Sequence, residues 1–325
     1  MTDKVVEWLI EENNPSVRFF TLTSLMGRSL KDPVVRETRK AIMEKGIVPG
    51  ILDMQNNDGS WGIPERFYRD KYTGTVWTLL ILAEMAADPE DQRIKNACEF
   101  ILKNSQDPES GGFSYTQSAK TGTGLDSSVV PCLTGNMVYS LVKLGYLEDK
   151  RTQRAIEWIT KYQRADDAIE KAPTGGIYDR YVMCFGRHSC HMGVAKALKA
   201  LASIPPEKRS KEITEKIDEI IEYFLRHHIY KKSHDLSKIS RPGWLKLGFP
   251  LMYQTDILEL LEIFKALKVR DPRMQDAIEK IKSKQMEDGK WKLENSMNGR
   301  MLVNIEEKGM PSKWITLKAL KVLKD

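Results

Sequence analysis

Features that mark secreted, membrane or disulfide-bonded proteins are scarce in this sequence of 325 residues. Four cysteines are too few for a disulfide framework in a chain of this length, which favours a reducing compartment. The longest apolar run, from 76 to 87, is interrupted by Thr78 and Glu84 and is too short to span a bilayer. The first residues include acids and no apolar signal segment. We therefore expect a cytoplasmic protein without a transmembrane segment.

Positive charges only slightly outnumber negative ones. The formal net charge is +6, and Lys and Glu are intermixed along the same segments instead of forming a basic stripe. This distribution argues against nucleic-acid binding but leaves an anionic substrate open. Hydrophobic residues make up 41% of the chain, which is enough for a large core.

What the sequence does contain is a repeated pair of helices. One set of segments, such as Arg154 to Ile159 and Met274 to Ile281, has apolar residues at helical spacing with charges between them. A second set alternates with the first and is apolar around most of the helix, so it is predicted to be buried. The second set comprises residues 17–26, 75–85, 135–144, 192–201, 255–267 and 313–323. The pattern predicts an all-α fold, an (α/α)6 toroid of six helical hairpins with a central cavity, at roughly 55 residues per repeat.

We expect one toroid domain over 1–325, with repeats at about 1–30, 31–88, 89–149, 150–206, 207–270 and 271–325. Connections from inner to outer helices are short turns, whereas those from outer to inner helices are long, Gly-rich and aromatic. Long loops in compact domains are usually functional. The mouth of the cavity is therefore expected at the long-loop end. The loops in question end at Tyr72, Val130, His188, Tyr253 and Lys313.

Two of the long loops begin with the same pattern, Gln-x-x-x-Gly-x-Trp, from Gln55 to Trp61 and from Gln285 to Trp291. Degenerate copies lie at 106–113 and 175–178. The pattern resembles the repeat of squalene cyclase, of other class II terpene cyclases and of protein prenyltransferase β-subunits, and the resemblance covers most of the chain. It implies an α/α toroid with an apolar cavity and an isoprenoid or other lipid-like substrate. We expect Gln to cap the outer helix, Gly to permit the chain reversal, and Trp to pack over the seam between hairpins.

One element of the class II cyclases is missing. Those enzymes protonate their substrate with an Asp-x-Asp-Asp acid, and the nearest segment here, Ala165-Asp166-Asp167, lacks the leading Asp. A protonation-driven cyclisation would need another acid in this protein.

Cysteine and histidine are concentrated at two successive inner-helix starts, one with Cys132 and the next with Cys190 and His191. Two thiolates and an imidazole with one position open suit a catalytic Zn²⁺. The arrangement resembles the zinc site of lanthipeptide cyclases, while alignment with the prenyltransferases makes Cys132 the zinc Cys and His188 the zinc His. We predict Zn²⁺ as cofactor on Cys132, Cys190 and His191, with His188 or Asp126 as a supporting or substitute ligand. Structural packing and metal-free Cys/His nucleophilic chemistry remain open.

Further polar and aromatic side chains fall at inner-helix starts and in the long loops. Asp256 begins an otherwise apolar helix, where it either complements the positive helix end or serves as an acid of the cavity wall. The catalytic candidates are Asp256, His188 and Tyr253. The substrate-binding candidates are Arg18, Tyr72, Trp77, Asn136, Arg187, Gln254, Lys313 and Trp314.

Three functions are compatible with these features. The first is a terpene cyclase- or prenyltransferase-like enzyme, zinc-dependent, that acts on an isoprenoid or similar lipid. The second is a metal-independent, atypical terpene cyclase, which the missing acid disfavours. The third is a non-catalytic toroid that binds a lipid or a protein or peptide partner. Metal content and a co-purifying lipid would separate them.

Overall fold

Helices dominate because amphipathic and apolar helical segments alternate along the chain. The computed structural model describes residues 3–167, 173–179, 182–186 and 188–324. The helices are α1 (Asp3–Leu9), α2 (Pro15–Phe20), α3 (Pro33–Glu44), α4 (Ile47–Leu52), α5 (Thr75–Glu84), α6 (Gln92–Asn104), α7 (Pro131–Lys143), α8 (Lys150–Tyr162), α9 (Val182–Phe185), α10 (His191–Ala202), α11 (Lys211–Arg226), α12 (Ile257–Ala266), α13 (Gln275–Lys282) and α14 (Lys313–Leu323). Helix α2 continues in a π-helical turn, Thr21–Leu25.

Strands β1 (Lys231–Lys232) and β2 (Asp235–Ile239) form an antiparallel hairpin, which is the only sheet in the described part of the chain. The prediction of an all-α protein with no sheet beyond a loop hairpin is therefore confirmed for the described residues. None of the helices found there has the length and apolar character needed to cross a membrane.

Outer helices begin with a recurring Asp-x-Arg sequence. Before α6, the Asp91 carboxylate accepts the Arg93 backbone N–H at 2.8 Å and also binds its guanidinium at 2.8 Å. Asp149 and Arg151 repeat both contacts at the start of α8, and an equivalent pair precedes α13. Because the first N–H groups of a helix have no partner within it, such caps define where these three outer segments start.

The inner helices α2, α5, α7, α10, α12 and α14 are the more apolar set, and all residues of α5 are buried. Helix α7 packs on α5 and α10, α12 packs on α10 and α14, and α14 packs on α2. The Ser16 hydroxyl of α2 donates a hydrogen bond of 2.8 Å to the carbonyl of Met85, directly after α5. Each inner helix therefore contacts two others.

Helices α7 and α10 approach each other closely. A Cβ atom added at Gly135 would lie 2.5 Å from the carbonyl carbon of Lys196, and one at Gly193 would lie 2.9 Å from the Pro131 Cβ. Real side chains do not tolerate contacts of this length. Glycine is thus required where the two helix backbones cross.

Each Gln-x-x-x-Gly-x-Trp loop ties an outer helix to the next inner one. The indole N–H of Trp61 donates to the Ile51 carbonyl of α4 at 2.8 Å, and that of Trp291 donates to the Ile281 carbonyl of α13 at 2.8 Å. The backbone N–H of each Trp donates to a threonine hydroxyl of the following inner helix, at 3.1 and 3.0 Å. Both indoles are fully buried. The two copies have the same geometry.

The glutamine of the loop links successive outer helices. The Gln55 amide donates to the carbonyl of Gly59 at 3.0 Å and to that of Arg93, in α6, at 2.8 Å. In the degenerate copy, Gln106 likewise binds the carbonyl of Arg151 in α8 at 2.7 Å. Gly59 has a φ of +89°, a conformation that glycine adopts without strain.

Candidate functional site

A cavity of about 630 Å³, the central cavity, is lined by side chains of all six inner helices. The contributing residues include Phe20, Ala83, Tyr139, Lys199, Glu259 and Lys318. Most of the lining comes from the C-terminal parts of the inner helices and the turn that follows α2, so the cavity opens at the end with the short connections, while Glu259 and Trp314 lie near the starts of α12 and α14. The expectation of a mouth at the long-loop end was therefore wrong for this cavity, although a separate, open pocket of about 760 Å³ is lined by long-loop residues such as Pro64 and Gln117.

Aromatic packing explains this difference. At the long-loop end the Trp77 ring lies 4.9 Å from Tyr68, 5.2 Å from Tyr72 and 6.3 Å from Tyr253. The Lys71 ammonium lies 4.8 Å from the centre of the Tyr253 ring. These residues fill the space with one another, and Tyr72 and Trp77 are buried. Three candidates, Tyr72, Trp77 and Tyr253, therefore come together in a packed cluster.

Two of the substrate-binding candidates with amide side chains, Gln254 and Asn136, form hydrogen bonds at or near this aromatic cluster. Gln254 donates to the Tyr72 hydroxyl at 3.2 Å, and the buried Asn136 donates to the Met252 carbonyl at 3.0 Å. Arg187, another substrate-binding candidate, lies outside the described residues.

The remaining basic candidates bind acids near the chain start. Arg18 forms an ion pair with Glu12 at 3.0 Å. Lys313 binds Glu11 at 2.8 Å and Asn13 at 2.6 Å. Neither lines the central cavity.

The central cavity contains buried lysines and glutamates that the sequence analysis did not single out. Lys196 lies 2.7 Å from Glu259, and Lys199 lies 2.9 Å from Glu259 and also binds Glu84. Burial alone would raise the pKa of Glu259, but Lys196 and Lys199 outweigh it and lower that pKa to about 2. Burial would likewise lower the pKa of Lys199, yet Glu259 and Glu84 raise it. Glu84, Glu259 and Lys199 are therefore charged at neutral pH, whereas burial lowers the pKa of Lys196 in spite of its contact with Glu259.

Helix α14 extends this arrangement. Lys318 lies 2.8 Å from Glu262 and 3.7 Å from Glu84, and Lys321 also binds Glu262. Burial opposes ionisation of Glu262, but Lys318 and Lys321 lower its pKa. The Lys–Glu network consists of Glu84, Lys196, Lys199, Glu259, Glu262, Lys318 and Lys321. Lys196 is not part of the cavity lining. Three glutamates and seven basic side chains line the cavity, the basic ones being Arg39, Lys143, Lys199, Lys265, Lys318, Lys321 and Lys324.

A sequence signal for this network exists. Three inner helices that are otherwise apolar carry like charges three residues apart, a spacing that puts both on one helix face. The pairs are Lys196 with Lys199, Glu259 with Glu262, and Lys318 with Lys321. Hydrophobic periodicity does not reveal these pairs, because it describes the average character of a helix and not individual charged positions.

An apolar wall faces these charges. Trp314, a substrate-binding candidate, lines the cavity, and its ring stacks on Phe249 at 4.1 Å and lies 6.0 Å from Phe20. Ile263 and Leu317 continue the apolar surface. The cavity thus offers both apolar contact and an excess of positive charge.

Asp256 caps a helix. Its carboxylate accepts the backbone N–H of Glu259 at 2.8 Å and of Gly248 at 2.9 Å, at the start of α12. Burial raises its pKa to about 6, in spite of these two hydrogen bonds. The residue does not line the central cavity, so its geometry favours the helix-end role over that of a wall acid.

The predicted metal ligands do not converge on one point. The His191 ring lies 4.6 Å from His227, 5.4 Å from Tyr223 and 5.6 Å from Trp244, and burial lowers its pKa to about 3. Within the described ranges, no group of three or more His, Cys, Asp or Glu is arranged to hold a metal ion. The positions of these residues therefore do not fit the predicted zinc site. Zinc binding by the protein stays a prediction.

The cysteines form a separate group. Burial raises the pKa of Cys132 to about 12. A hydrogen bond from Cys184 lowers the pKa of Cys190 to about 6, with help from the backbone N–H groups of Met192 and Gly193. The Cys184 hydrogen bond and the helix N-terminus therefore both favour the thiolate form of Cys190.

Four of the five histidines line a smaller cavity of about 280 Å³ at the start of α10. Asp167 is central to it: His188 binds the carboxylate at 2.6 Å, Ser233 donates to it, and His227 lies 3.4 Å away. His227 also donates to the Lys231 carbonyl at 2.7 Å. The sequence analysis named His188 as catalytic but did not foresee Asp167 as its partner, because the two are brought together by the loop before α10.

Comparison with known proteins gives weak similarities. No protein-family model and no curated protein matches the chain. A protein from Actinoplanes is 13% identical with a TM-score of 0.46, and the match covers 97% of this chain and 89% of that one. The type II terpene cyclase MstE from Scytonema, in a variant bound to its product merosterolic acid A, is 10% identical with a TM-score of 0.35 over 99% of this chain and 98% of that one. Another variant, bound to its substrate geranylgeranyl dihydroxybenzoate, is 11% identical with a TM-score of 0.33 over the same shares. Scores at this level assign neither a family nor a function.

Proposed function

We propose that the six hairpins over residues 1–325 close into one α/α toroid whose central cavity binds a small molecule with an apolar body and an anionic group. An isoprenoid diphosphate or a lipid-like acid has this character. The observation that carries the proposal is the cavity itself, since side chains from all six inner helices line it. Cavities of several hundred Å³ that are apolar with a few placed charges are typical small-molecule sites.

The charges favour an anion. Seven basic side chains and three glutamates line the cavity, and unbalanced charge in a partly shielded cavity is costly. An anionic group on the ligand offsets that excess. The resemblance of the Gln-x-x-x-Gly-x-Trp loops to the cyclase repeat makes an isoprenoid the first choice for the apolar part.

Protonation-driven cyclisation has little support here. The glutamates of the cavity have lowered pKa values because lysines surround them, so they are poor proton donors at neutral pH. Zinc remains a separate prediction, on Cys132, Cys190 and His191. Elemental analysis of the purified protein tests it, with about one Zn²⁺ per chain expected if it is right.

Calorimetric titration tests the proposed function. We expect farnesyl diphosphate to bind more tightly than farnesol, which lacks the anion, and than inorganic diphosphate, which lacks the apolar body. Ala266 lines the cavity with an exposed side chain, so Ala266→Trp blocks it without disturbing the core. The variant should weaken binding at least about tenfold, or ~1.4 kcal/mol.

The matched control is Lys150→Trp, an equally bulky change at an exposed position of outer helix α8. It should leave the affinity unchanged. Equal binding of farnesyl diphosphate by the Ala266→Trp variant, or binding no tighter than that of inorganic diphosphate, would contradict the proposal.

A further inference from the structure

Three of the four cysteines lie near one another. Cys184, in the short helix α9, forms a hydrogen bond with Cys190, which directly precedes α10. Both side chains are half-buried, and Cys190 lines the smaller cavity. Cys132 is close enough to interact electrostatically with both, whereas Cys98 is fully buried in outer helix α6. We call Cys184 and Cys190 the cysteine pair.

One buried arginine anchors the backbone that follows Cys184. The Arg164 guanidinium donates to the carbonyls of Phe185 and Gly186 at 2.7 Å each, and it binds the Asp166 carboxylate at 2.7 Å. Moving this segment would break several charge-assisted hydrogen bonds. The backbone beside Cys184 is therefore held in place.

The same part of the chain anchors the backbone before Cys190. The Asp166 N–H donates to the Ser189 hydroxyl at 3.1 Å, and the Asp166 carbonyl accepts the Ser189 N–H at 3.2 Å. Ser189 is buried. Both ends of the link between the two cysteines are thus tied to residues 164–166, which keeps the cysteine pair together.

We propose that the cysteine pair is redox-active: it exchanges with a small acidic disulfide and closes to an intramolecular disulfide bond. Cys190 is the attacking residue, because the N–H groups of Met192 and Gly193 in the first turn of α10 bind its sulfur and stabilise a thiolate. Cys184 is the resolving residue. This activity goes beyond the ligand proposed for the central cavity and does not depend on it. Oxidation of Cys190 and its predicted role as a zinc ligand exclude each other in one molecule.

The exchange balances in two steps. The Cys190 thiolate attacks one sulfur of the small disulfide, which forms a mixed disulfide and releases the first half as a thiolate. Cys184 then gives up its proton and attacks the Cys190 sulfur, and the second half leaves as a thiolate. Two protein thiols are oxidised to one disulfide, and the small disulfide is reduced to two thiols. The leaving thiolates take up the two protons of the protein thiols.

The smaller cavity favours an acidic partner. Its lining includes Lys232 and Arg241, and neither forms an ion pair within the described residues. The only acid of the lining is Asp167, which is already bound by His188. Arg241 is also close enough to act electrostatically on the Cys190 sulfur. Carboxylates on an incoming disulfide therefore meet unpaired positive charge beside the attacking residue.

Mapping of disulfides by mass spectrometry tests the proposal. The reduced full-length protein is incubated with oxidised glutathione, free thiols are blocked with a maleimide, and trypsin separates the cysteine pair at Arg187. We expect disulfide-linked peptides of Cys184 and Cys190, formed several-fold faster than any glutathione adduct of Cys132 or Cys98. A link from Cys190 to Cys132, or equal reaction of all four cysteines, overturns the proposal. The mapping needs no variant, so it does not depend on whether a substitution folds.

Two variants separate the steps. Cys184→Ser keeps the attacking residue, so a glutathione adduct on Cys190 should accumulate. Cys190→Ser should abolish both the adduct and the linked peptides. Cys132→Ser is the matched control and should leave the linked peptides unchanged. An adduct that accumulates on Cys184 in the Cys190→Ser variant, as fast as on Cys190 in the other, overturns the assigned roles.

The charge of the partner is tested with cystamine, a cationic disulfide. Each rate is divided by the rate of the same reagent with 2-mercaptoethanol, which corrects for intrinsic reactivity. We expect oxidised glutathione to oxidise the cysteine pair faster than cystamine on this scale, and Arg241→Gln to reduce the difference. Arg241 is exposed, so the change leaves the core intact. Equal corrected rates for the two reagents overturn the acidic partner.

Discussion

The glutamine that opens each Gln-x-x-x-Gly-x-Trp loop has different surroundings in different copies. Gln106 is buried and its amide donates to the carbonyls of Gly111 at 2.8 Å and Arg151 at 2.7 Å. Gln285 is exposed and donates to the Gly289 carbonyl at 3.1 Å. A buried carbonyl that loses its donor costs more than an exposed one, which water can satisfy.

We therefore expect Gln106→Ala to lower the free energy of unfolding by about 1–3 kcal/mol. Gln285→Ala, the same change at the equivalent position, should cost no more than about 0.5 kcal/mol. Denaturant unfolding of the two variants measures the difference. Equal losses of unfolding free energy in the two variants would show that the hydrogen bond from Gln106 to the next outer helix does not add to stability.

Residue roles were predictable from the sequence where a local interaction determines them. Asp256 at a helix start and the Trp of the repeat loops fall in this class, since their partners lie within a few residues or in the adjoining helices. His191 illustrates the opposite case. Its position one residue after Cys190 suggested a shared metal, but its ring turns toward Tyr223 and Trp244, which only the fold brings near.

Helices were predicted from periodicity because amphipathic and apolar segments alternate visibly in the sequence. The close contacts between helices could not be predicted in this way. Gly135 is one of several glycines in the sequence, and only its distance from the α10 backbone shows that a larger residue has no room there. By contrast, Gly50 in α4 has no atom within 4 Å of an added Cβ.

These two glycines give an element-scale prediction. Gly135→Ala should destabilise the protein by about 1–3 kcal/mol, because the added methyl group forces α7 and α10 apart. Gly50→Ala should instead stabilise it by roughly 0.5–1 kcal/mol, since alanine is the better helix former and meets no obstacle. Thermal and denaturant unfolding provide the comparison. Stability unchanged by Gly135→Ala would contradict the close crossing of the two helices.

At the scale of the whole molecule, the sequence predicted six hairpins but misplaced the cavity. Loop length and glycine content pointed to the long-loop end, where Tyr72, Trp77 and Tyr253 instead pack against one another. The lysine and glutamate side chains of α10, α12 and α14 keep the opposite end polar and open. Whether a set of loop aromatics lines a cavity or fills it depends on side-chain packing, which repeat periodicity does not encode.

The central claim is that the six inner helices enclose a ligand site at their C-terminal ends. A crystal structure of the complex with farnesyl diphosphate tests it most directly. We predict electron density for the ligand in the central cavity, with the diphosphate beside the lysines of the cavity and the isoprenoid chain against Trp314. Density at the aromatic cluster of Tyr72, Trp77 and Tyr253, or an arrangement of helices that leaves the cavity open at its side, would contradict the account.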